Sequence, residues 1–351
     1  MKTYNKLYER LCSKENLISA FRKARKGKSK KGYVIHFESN LIKNLRNLQN
    51  DLKDKKYYPS RLKKFVIRDP KTRTIHASIF RDRIVHHAII NILKPIYEPR
   101  FINDSFASRK DKGTHLAVER FEYFMNKVSS NGKKIKKPFN NNSIQGYVLK
   151  ADIKHYFDTI DHEVLINILR KKIRDEDLIE LVRIILHKFY SPIKGKGLHL
   201  GNYTSQFFAN IYLNNLDYFV KHRLKAKYYI RYVDDFVILH KDKKVLFEFK
   251  DKIEKYLISL KLELHRDKSE IHALRNGITF LGYRIFYHHK LLRKRNIRYF
   301  KNKLNNKLEL YRQGLIDKEH LESFLCGWFG YSNFANTYNF NKKIENSLPF
   351  S

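Results

Sequence analysis

The sequence predicts an α+β fold in which a small antiparallel sheet is backed by helices. Segments rich in Tyr, Ile, Val and Leu, such as 228–232 and 236–239, are separated by a short turn, which is typical of paired strands. Apolar residues recur at helical spacing near both ends of the chain. A length of 351 residues with 42% hydrophobic residues is enough for two or three packed units.

The charge of the chain points to a polyanionic partner. Lys and Arg number 73 against 35 Asp and Glu, a formal net charge of +38, while 14% aromatic residues argue against a disordered polycation. Such an excess of charge repels itself unless a polyanion neutralises it, and nucleic acid is the commonest one. A basic protein with a merely solvated surface is the alternative.

The N-terminal part is predicted to be mainly helical and to carry one hairpin. We expect helices over 4–24, 37–52 and 82–97. In the last segment the helical spacing of apolar residues holds as far as Pro95. Seven of the ten residues in 22–31 are basic, which indicates a solvated loop. Strands over 65–67 and 74–77 are expected to turn at Asp69 and Pro70, and 131–143 reads as an exposed loop.

The remainder alternates strands and helices before a helical, basic end. Strands are expected over 147–153, 228–232, 236–239, 268–273 and 278–286, helices over 161–170, 177–189 and 245–259, and further helices over 290–351.

Three carboxylates stand at strand ends. Asp234 and Asp235 occupy a tight turn, and Asp152 closes an earlier predicted strand. If these strands are neighbours in one sheet, the three acids converge, and their mutual repulsion favours a divalent cation between them. Mg²⁺ suits such a site because it takes carboxylates together with substrate phosphates, and two ions can support phosphoryl transfer. The alternative is a solvated Asp-Asp turn with an unrelated acid.

With these motifs the chain resembles the reverse transcriptases over nearly its whole length. The resemblance implies a right-hand polymerase with fingers, an antiparallel-sheet palm and a helical thumb, which makes DNA on an RNA template. It implies that Asp152, Asp234 and Asp235 are catalytic, and that they bind two Mg²⁺ ions together with Ile153, Mn²⁺ being an alternative ion.

Other matching positions are assigned to the incoming deoxynucleotide. Phe157 stands where the family places an aromatic gate under the sugar, and Lys268 matches the lysine of the fourth motif. Arg73 resembles the arginine that clamps the triphosphate, with an ordinary strand-edge arginine as the alternative. Residues 280–283 look like the primer-grip hairpin.

The second palm motif indicates a subgroup. The usual bacterial pattern begins Gln-Gly, whereas this chain has Leu200 and Gly201, followed by Gln206. This form is similar to the enzymes of diversity-generating retroelements, which copy template adenines with errors. Replacing Gln by Leu200 removes a donor and an acceptor beside the nascent pair, which would loosen geometric checking. Leu200 as simple strand packing is the alternative.

Several basic residues are assigned to nucleic acid. We expect Arg109 and Lys110 to face nucleic acid or phosphate, and Arg293, Lys294 and Arg298 to lie on a thumb helix that follows a phosphate backbone. Solvated positions are the alternative. The expected partners are template RNA, the RNA/DNA hybrid, deoxynucleoside triphosphates and a small basic accessory protein.

The predicted domains are a helical basic extension (1–60), fingers (61–145), palm (146–285) and thumb (286–351). With Cys12 and Cys326 far apart, and with neither a signal peptide nor an apolar run of membrane-spanning length, we expect a soluble cytoplasmic protein without membrane contact. The alternatives are a reverse transcriptase of a phage-defence or group II intron-like system, and an RNA-binding scaffold with an inactive palm.

Overall fold

The computed structural model describes residues 2–68, 72–132, 144–188 and 193–349. Its helices are α1 (Leu7–Leu11), α2 (Lys14–Arg25), α3 (Gly32–Glu38), α4 (Leu41–Lys53), α5 (Phe80–Tyr97), α6 (Thr114–Val128), α7 (Tyr156–Thr159), α8 (His162–Arg170), α9 (Glu176–His187), α10 (Tyr203–Tyr218), α11 (Lys243–Ser259), α12 (Lys294–Arg312), α13 (Lys318–Ser332) and α14 (Tyr338–Glu345). Its strands are β1 (Lys63–Ile67), β2 (Arg73–Ala77), β3 (Tyr147–Asp152), β4 (Tyr228–Tyr232), β5 (Asp235–His240), β6 (Glu270–Ala273), β7 (Ile278–Phe280), β8 (Tyr283–Ile285) and β9 (Lys290–Leu292).

The central sheet confirms the predicted α+β class. Its strand order is β4-β5-β3-β6, and every neighbouring pair is antiparallel. β1 and β2 form a separate hairpin, and β7, β8 and β9 form a three-stranded sheet near the C-terminal helices. The register of the central sheet sets Asp152 directly opposite Asp235.

Each face of the central sheet is covered by its own apolar cluster. Leu149 and Phe236 belong to a cluster built with the N-terminal helices, α5 and α8 to α11. Val148 and Val237 belong to a second cluster, with α6, the β7-β8-β9 sheet and α12 to α14. Successive strand residues point to opposite faces, so the apolar runs of β3 and β5 fill both clusters.

An aspartate links the N-terminal helices to the helices beside the central sheet. Asp175 caps α9 by accepting from the Leu178 N–H at 3.1 Å through Oδ1. Its Oδ2 accepts from the N–H groups of Leu7 and Tyr8 at 2.6 and 2.8 Å, at the start of α1. One carboxylate therefore satisfies unpaired donors at two helix ends.

The structure corrects several predicted boundaries. α2 continues to Arg25, so the basic loop covers only the end of 22–31, and 37–52 is divided between two helices. Pro95 lies inside α5, which extends two residues beyond it, because a proline so near the end removes only one late helical hydrogen bond. Residues 290–292 are a strand, and α6 and α10 were not predicted.

Two predicted features fall outside the described residues: the turn at Asp69 and Pro70, and the loop at 131–143 from residue 133 onward. Within the ranges given above, no helix is both long enough and apolar enough to cross a membrane.

Candidate active site

The turn between β4 and β5 has an unusual backbone. Tyr232 pairs with Asp235, so the loop consists of Val233 and Asp234 alone. Val233 has a φ of 58°, a conformation that β-branched residues rarely adopt and that costs about 1–3 kcal/mol. Surrounding contacts must therefore hold this turn in place.

A buried arginine supplies such a contact. Arg231 is fully buried and binds Asp217 through Nε and Nη2, both at 2.7 Å. Its Nη1 donates to Asn210 Oδ1 and to the Val233 carbonyl oxygen, each at 3.0 Å. The Tyr229 hydroxyl donates to Asp217 at 2.8 Å, which completes a satisfied buried network.

The three acids lie at one edge of the sheet. Asp152 and Asp235 are cross-strand partners, and the Ile153 N–H donates to the Asp234 carbonyl oxygen at 3.3 Å. The Asp152 N–H donates to Ser269 Oγ at 3.4 Å. The backbone of β3 is thereby linked both to the turn and to the segment before β6.

Burial and the neighbouring carboxylates disfavour ionisation of Asp234 and Asp235. Burial, with the carboxylates of Asp152 and Asp234, raises the pKa of Asp235 to about 6, against an opposing effect of Lys150. Burial also raises the pKa of Asp234, to which Asp152 adds, while Lys268 and Arg73 oppose the rise. A cation bound between these carboxylates would offset their repulsion and favour their ionised form.

These oxygens fit a hard divalent cation. Carboxylates from neighbouring strands suit Mg²⁺, which completes its coordination with water and substrate phosphates. Among the residues that the structure describes, no three His, Cys, Asp or Glu side chains form a ready-made metal cluster. The side chain of Ile153 is buried, so that residue could reach an ion only through its backbone carbonyl.

Two predicted nucleotide-binding cations are close to the acids. Lys268 Nζ lies 3.3 Å from Asp152 Oδ1 and half of its side chain is exposed. Arg73 is exposed at the start of β2, and its charge lowers the pKa of Asp234. The β1-β2 hairpin thus places a positive charge where it acts on the carboxylate edge.

The segment around Leu200 contacts both β2 and the region of Phe157. The Leu200 carbonyl accepts from the His76 N–H at 3.2 Å, and the Leu198 N–H donates to the Phe157 carbonyl at 2.6 Å. Gly201 has a φ of 113°, and a Cβ there would stand 2.7 Å from Ile75 Cγ2, so glycine is required. Phe157 itself is half-buried.

A buried polar chain behind this segment was missed in the sequence analysis. Asn202 Oδ1 accepts from the Ser78 hydroxyl at 2.8 Å, and His86 lies 2.9 Å from both Ser78 Oγ and Thr204 Oγ1. Burial lowers the pKa of His86 to about 3, so this ring is neutral. These hydrogen bonds join Ser78, just after β2, and His86 in α5 to the first turn of α10. In that turn the exposed Gln206 accepts from Ser108 Oγ at 3.3 Å.

The residues predicted to bind nucleic acid differ in placement. The Arg109 side chain is only 10% exposed, and it donates to Glu98 at 2.8 Å and to the carbonyls of Ile102 and Ser105. The geometry gives it an internal structural role and leaves its predicted contact with nucleic acid without support. Exposed positions are occupied by Lys110, Arg293, Lys294 and Arg298.

Comparison with known proteins identifies the family. Residues 63–285 match the model of the reverse transcriptase (RNA-dependent DNA polymerase) family. The chain belongs to this family. The matched segment includes all three carboxylates and all six residues assigned to the nucleotide.

Individual relatives are distant. The chain is 26% identical to the group II intron-encoded protein LtrA of Lactococcus lactis subsp. cremoris, an alignment that covers 90% of this chain but 63% of the relative. It is 24% identical to protein YkfC of Escherichia coli strain K12, covering 74% of each. Apo telomerase from Candida tropicalis superimposes with a TM-score of 0.49 at 15% identity, over 72% of this chain and 60% of that structure.

Proposed function

We propose that this protein is an RNA-directed DNA polymerase. The observation that carries the proposal is the register of the central sheet, which sets Asp152 opposite Asp235 with Asp234 in the adjoining turn. The raised pKa values of Asp234 and Asp235 and the oxygen-only donor set of the three acids favour divalent cations at this edge. Membership of the reverse transcriptase family supports the same reaction.

The chain's own residues have separate tasks in this reaction. Asp152, Asp234 and Asp235 would hold two Mg²⁺ ions, with Mn²⁺ as an alternative. When bound, such ions activate the primer 3′-hydroxyl and stabilise the leaving pyrophosphate. Arg73 and Lys268 would bind the triphosphate, and Phe157 would lie beneath the sugar and exclude a 2′-hydroxyl.

The variant Asp234→Asn tests the proposal. Primer extension on an RNA template should fall at least a thousandfold, while affinity for primer–template stays within about twofold, because binding depends on the many basic residues. Asp54→Asn, at an exposed surface position, is the matched control and should extend normally. Near-normal extension by Asp234→Asn would exclude this site as the catalytic centre.

We further propose that copying is error-prone, as the resemblance to diversity-generating enzymes implies. Support comes from Leu200, which is fixed by its backbone to β2 and brings an aliphatic side chain where related enzymes carry glutamine. Leu200→Gln should lower misincorporation at template adenines several-fold, measured by sequencing the cDNA. An unchanged error spectrum would assign Leu200 to packing alone.

The relatives favour a second candidate, a group II intron-like enzyme. The similarity to an intron-encoded protein over 90% of this chain is the supporting observation. Errors spread evenly over all template bases, at a low rate in the wild type, would favour this candidate over the diversity-generating one. The diversity-generating candidate also includes a small basic accessory protein, which would be sought by co-purification with this chain.

A further inference from the structure

The thumb helices α12 and α13 enclose a cavity of about 630 Å³ that is separate from the carboxylate edge. Each helix contributes residues at i, i+1, i+4, i+5 and i+8, so that one face of each helix lines the space. This volume is within the range of ordinary small-ligand sites. The cavity has an aromatic floor and a basic rim.

The floor is built from stacked rings. Phe300 stacks on Trp328 with centroids 3.8 Å apart, and Phe324 stacks on Phe300 at 5.6 Å. The ring of Tyr299 lies at the mouth and is 39% exposed, with Lys303 Nζ 4.9 Å from its centroid. Exposed aromatic faces beside cations are the features that bind unpaired bases.

Trp328 leaves a buried donor unused. Its side chain is only 8% exposed, and Nε1 has no hydrogen-bond partner among the described residues. A buried indole N–H normally finds a partner, because an unsatisfied donor costs free energy. Because this N–H is itself buried, Trp328 contributes its ring, and not this donor, to the lining of the cavity.

Gly327 keeps the cavity open. It lies inside α13, lines the cavity, and a Cβ placed there would meet no atom within 4 Å. Glycine in a helix interior costs about 0.5–1 kcal/mol relative to alanine, and packing within the described chain gives no reason for it. Any larger side chain at this position would occupy the space between the helices.

The charge of α12 indicates an anionic occupant. Seven of its residues are Lys or Arg and one is Glu. Arg295 and Lys303 are at the cavity itself. Phosphate groups would find complementary charge there, whereas a basic or neutral apolar helix would not.

The inner end of the cavity is connected to the β7-β8 hairpin. Tyr331 accepts from the Asn296 amide at 2.7 Å and donates from its hydroxyl to the Gly282 carbonyl oxygen at 2.8 Å. Both Tyr331 and Asn296 line the cavity. A ligand between α12 and α13 would therefore lie against side chains that fix this hairpin.

We propose that the α12–α13 cavity binds an unpaired nucleotide of an RNA strand. The base packs against the aromatic floor and Tyr299, and the adjoining phosphates lie beside Arg295 and Lys303. The site is distinct from the carboxylate edge, so it does not depend on catalysis. A polymerase-inactive Asp234→Asn variant should retain it.

Trp328, the only tryptophan of the chain, reports on the cavity directly. Tryptophan fluorescence of the full chain would be titrated with a 12-nucleotide oligoadenylate, with an abasic oligomer of the same length, with a blunt duplex and with AMP. The oligoadenylate should quench the emission at saturation, and the abasic strand and duplex should not. Equal quenching by the abasic strand or duplex, or saturation by AMP at the same concentration, would overturn the assignment to an RNA strand.

The chain offers a matched pair of variants. Gly327→Leu should weaken oligoadenylate binding about tenfold or more by filling the cavity. Gly330→Leu places the same side chain in the same helix, at a position that does not line the cavity and where a Cβ also meets nothing within 4 Å. This control variant should bind the oligoadenylate normally. Duplex affinity and the thermal midpoint should be similar in both variants.

A second variant distinguishes loss of the binding site from a folding defect of Gly327→Leu. Tyr299→Ala removes a partly exposed wall of the cavity and should also reduce quenching and affinity. Unchanged oligoadenylate affinity in Gly327→Leu and Tyr299→Ala would overturn the proposal and leave the groove to a protein partner.

Discussion

Arg231 Nη1 donates to the carbonyl oxygen of Val233 at 3.0 Å, from a position that is fully buried. This bond links an internal ion pair to the turn that carries Asp234. Because Val233 has a φ of 58°, the turn is held in a conformation that it would not adopt alone. We infer that Arg231 positions the turn that carries Asp234 and does not itself contact substrate.

Arg231→Lys tests this positioning role. Lysine keeps a positive charge for Asp217 but cannot reach Asp217, Asn210 and Val233 at once, since it lacks the planar fork. We expect kcat for primer extension to fall about tenfold to a hundredfold, with KM for primer–template changed less than twofold. Steady-state kinetics at saturating Mg²⁺ would measure both.

The control for this variant is Arg223→Lys, at an exposed position. Arg231→Lys is also expected to lower the thermal midpoint, because a buried ion pair with an imperfect partner costs stability. Recovery of activity at assay temperatures well below the thermal midpoint would contradict the positioning role. A change in KM as large as the change in kcat would contradict it as well.

The sequence predicted the acids but not the pair that supports their turn. Asp152, Asp234 and Asp235 are recognisable because strand ends and tight turns are marked by local residue types. Arg231 was treated as one residue of an apolar strand, and Asp217 lies near the end of α10, a helix that was not predicted. The available signal was an arginine inside an otherwise apolar strand, which requires a buried acid.

Phe157→Ala should relax sugar selection. If the half-buried ring lies beneath the sugar, its removal admits a 2′-hydroxyl, and ribonucleotide incorporation should rise about 10- to 100-fold relative to deoxynucleotides. Single-nucleotide insertion with matched dATP and ATP measures the ratio.

Phe157→Tyr keeps the ring and is the matched control, for which sugar selection should stay near the wild-type value. Equal selection in Phe157→Ala would place the ring in the core alone. Phe157, five residues after Asp152, was assigned from the resemblance to reverse transcriptases. The internal contacts of Arg109 could not be predicted from the sequence, because they depend on Glu98 and on two loop carbonyls.

His86 should make the fold sensitive to acid. Burial lowers its pKa in the folded state to about 3, whereas the unfolded chain takes up the proton near pH 6.5. Between these two pKa values the unfolded state binds more protons than the folded state. The contribution of His86 to the free energy of unfolding is therefore fully present above pH 6.5 and is lost as the pH falls from there toward 3. The raised pKa of Asp235 acts in the opposite direction over part of this range.

His86→Gln isolates this contribution, because an amide can still bridge Ser78 and Thr204 but does not titrate. Between pH 6.5 and 4.5 its loss of stability should be about 2 kcal/mol smaller than that of the wild type. Chemical denaturation at each pH measures the difference. His36→Gln, at an exposed position, should follow the wild type, and parallel curves for all three proteins would refute the assignment to His86.

The basic segment 22–31 is divided by the structure into two parts. Arg25 pairs with Glu38 at 2.5 Å and Lys23 donates to Asn91, so these residues already have protein partners. The lysines that follow the end of α2 are Lys26, Lys28, Lys30 and Lys31, and all four are exposed. This loop is where a structured RNA would add contacts beyond the primer–template duplex.

Changing Lys26, Lys28, Lys30 and Lys31 to Gln should weaken assembly with the cognate RNA and spare extension of a generic primer on a homopolymer. Each lost phosphate contact lowers the slope of log affinity against log salt by about 0.7–0.9, so the slope should fall by up to about three. The control changes four exposed lysines at and before α11, namely Lys241, Lys243, Lys244 and Lys252. It removes the same charge, so equal slopes in the two quadruple variants would show that only net charge matters. A parallel loss of homopolymer extension would place the loop in the catalytic groove instead, because a contact made only by structured RNA cannot affect a template that lacks structure.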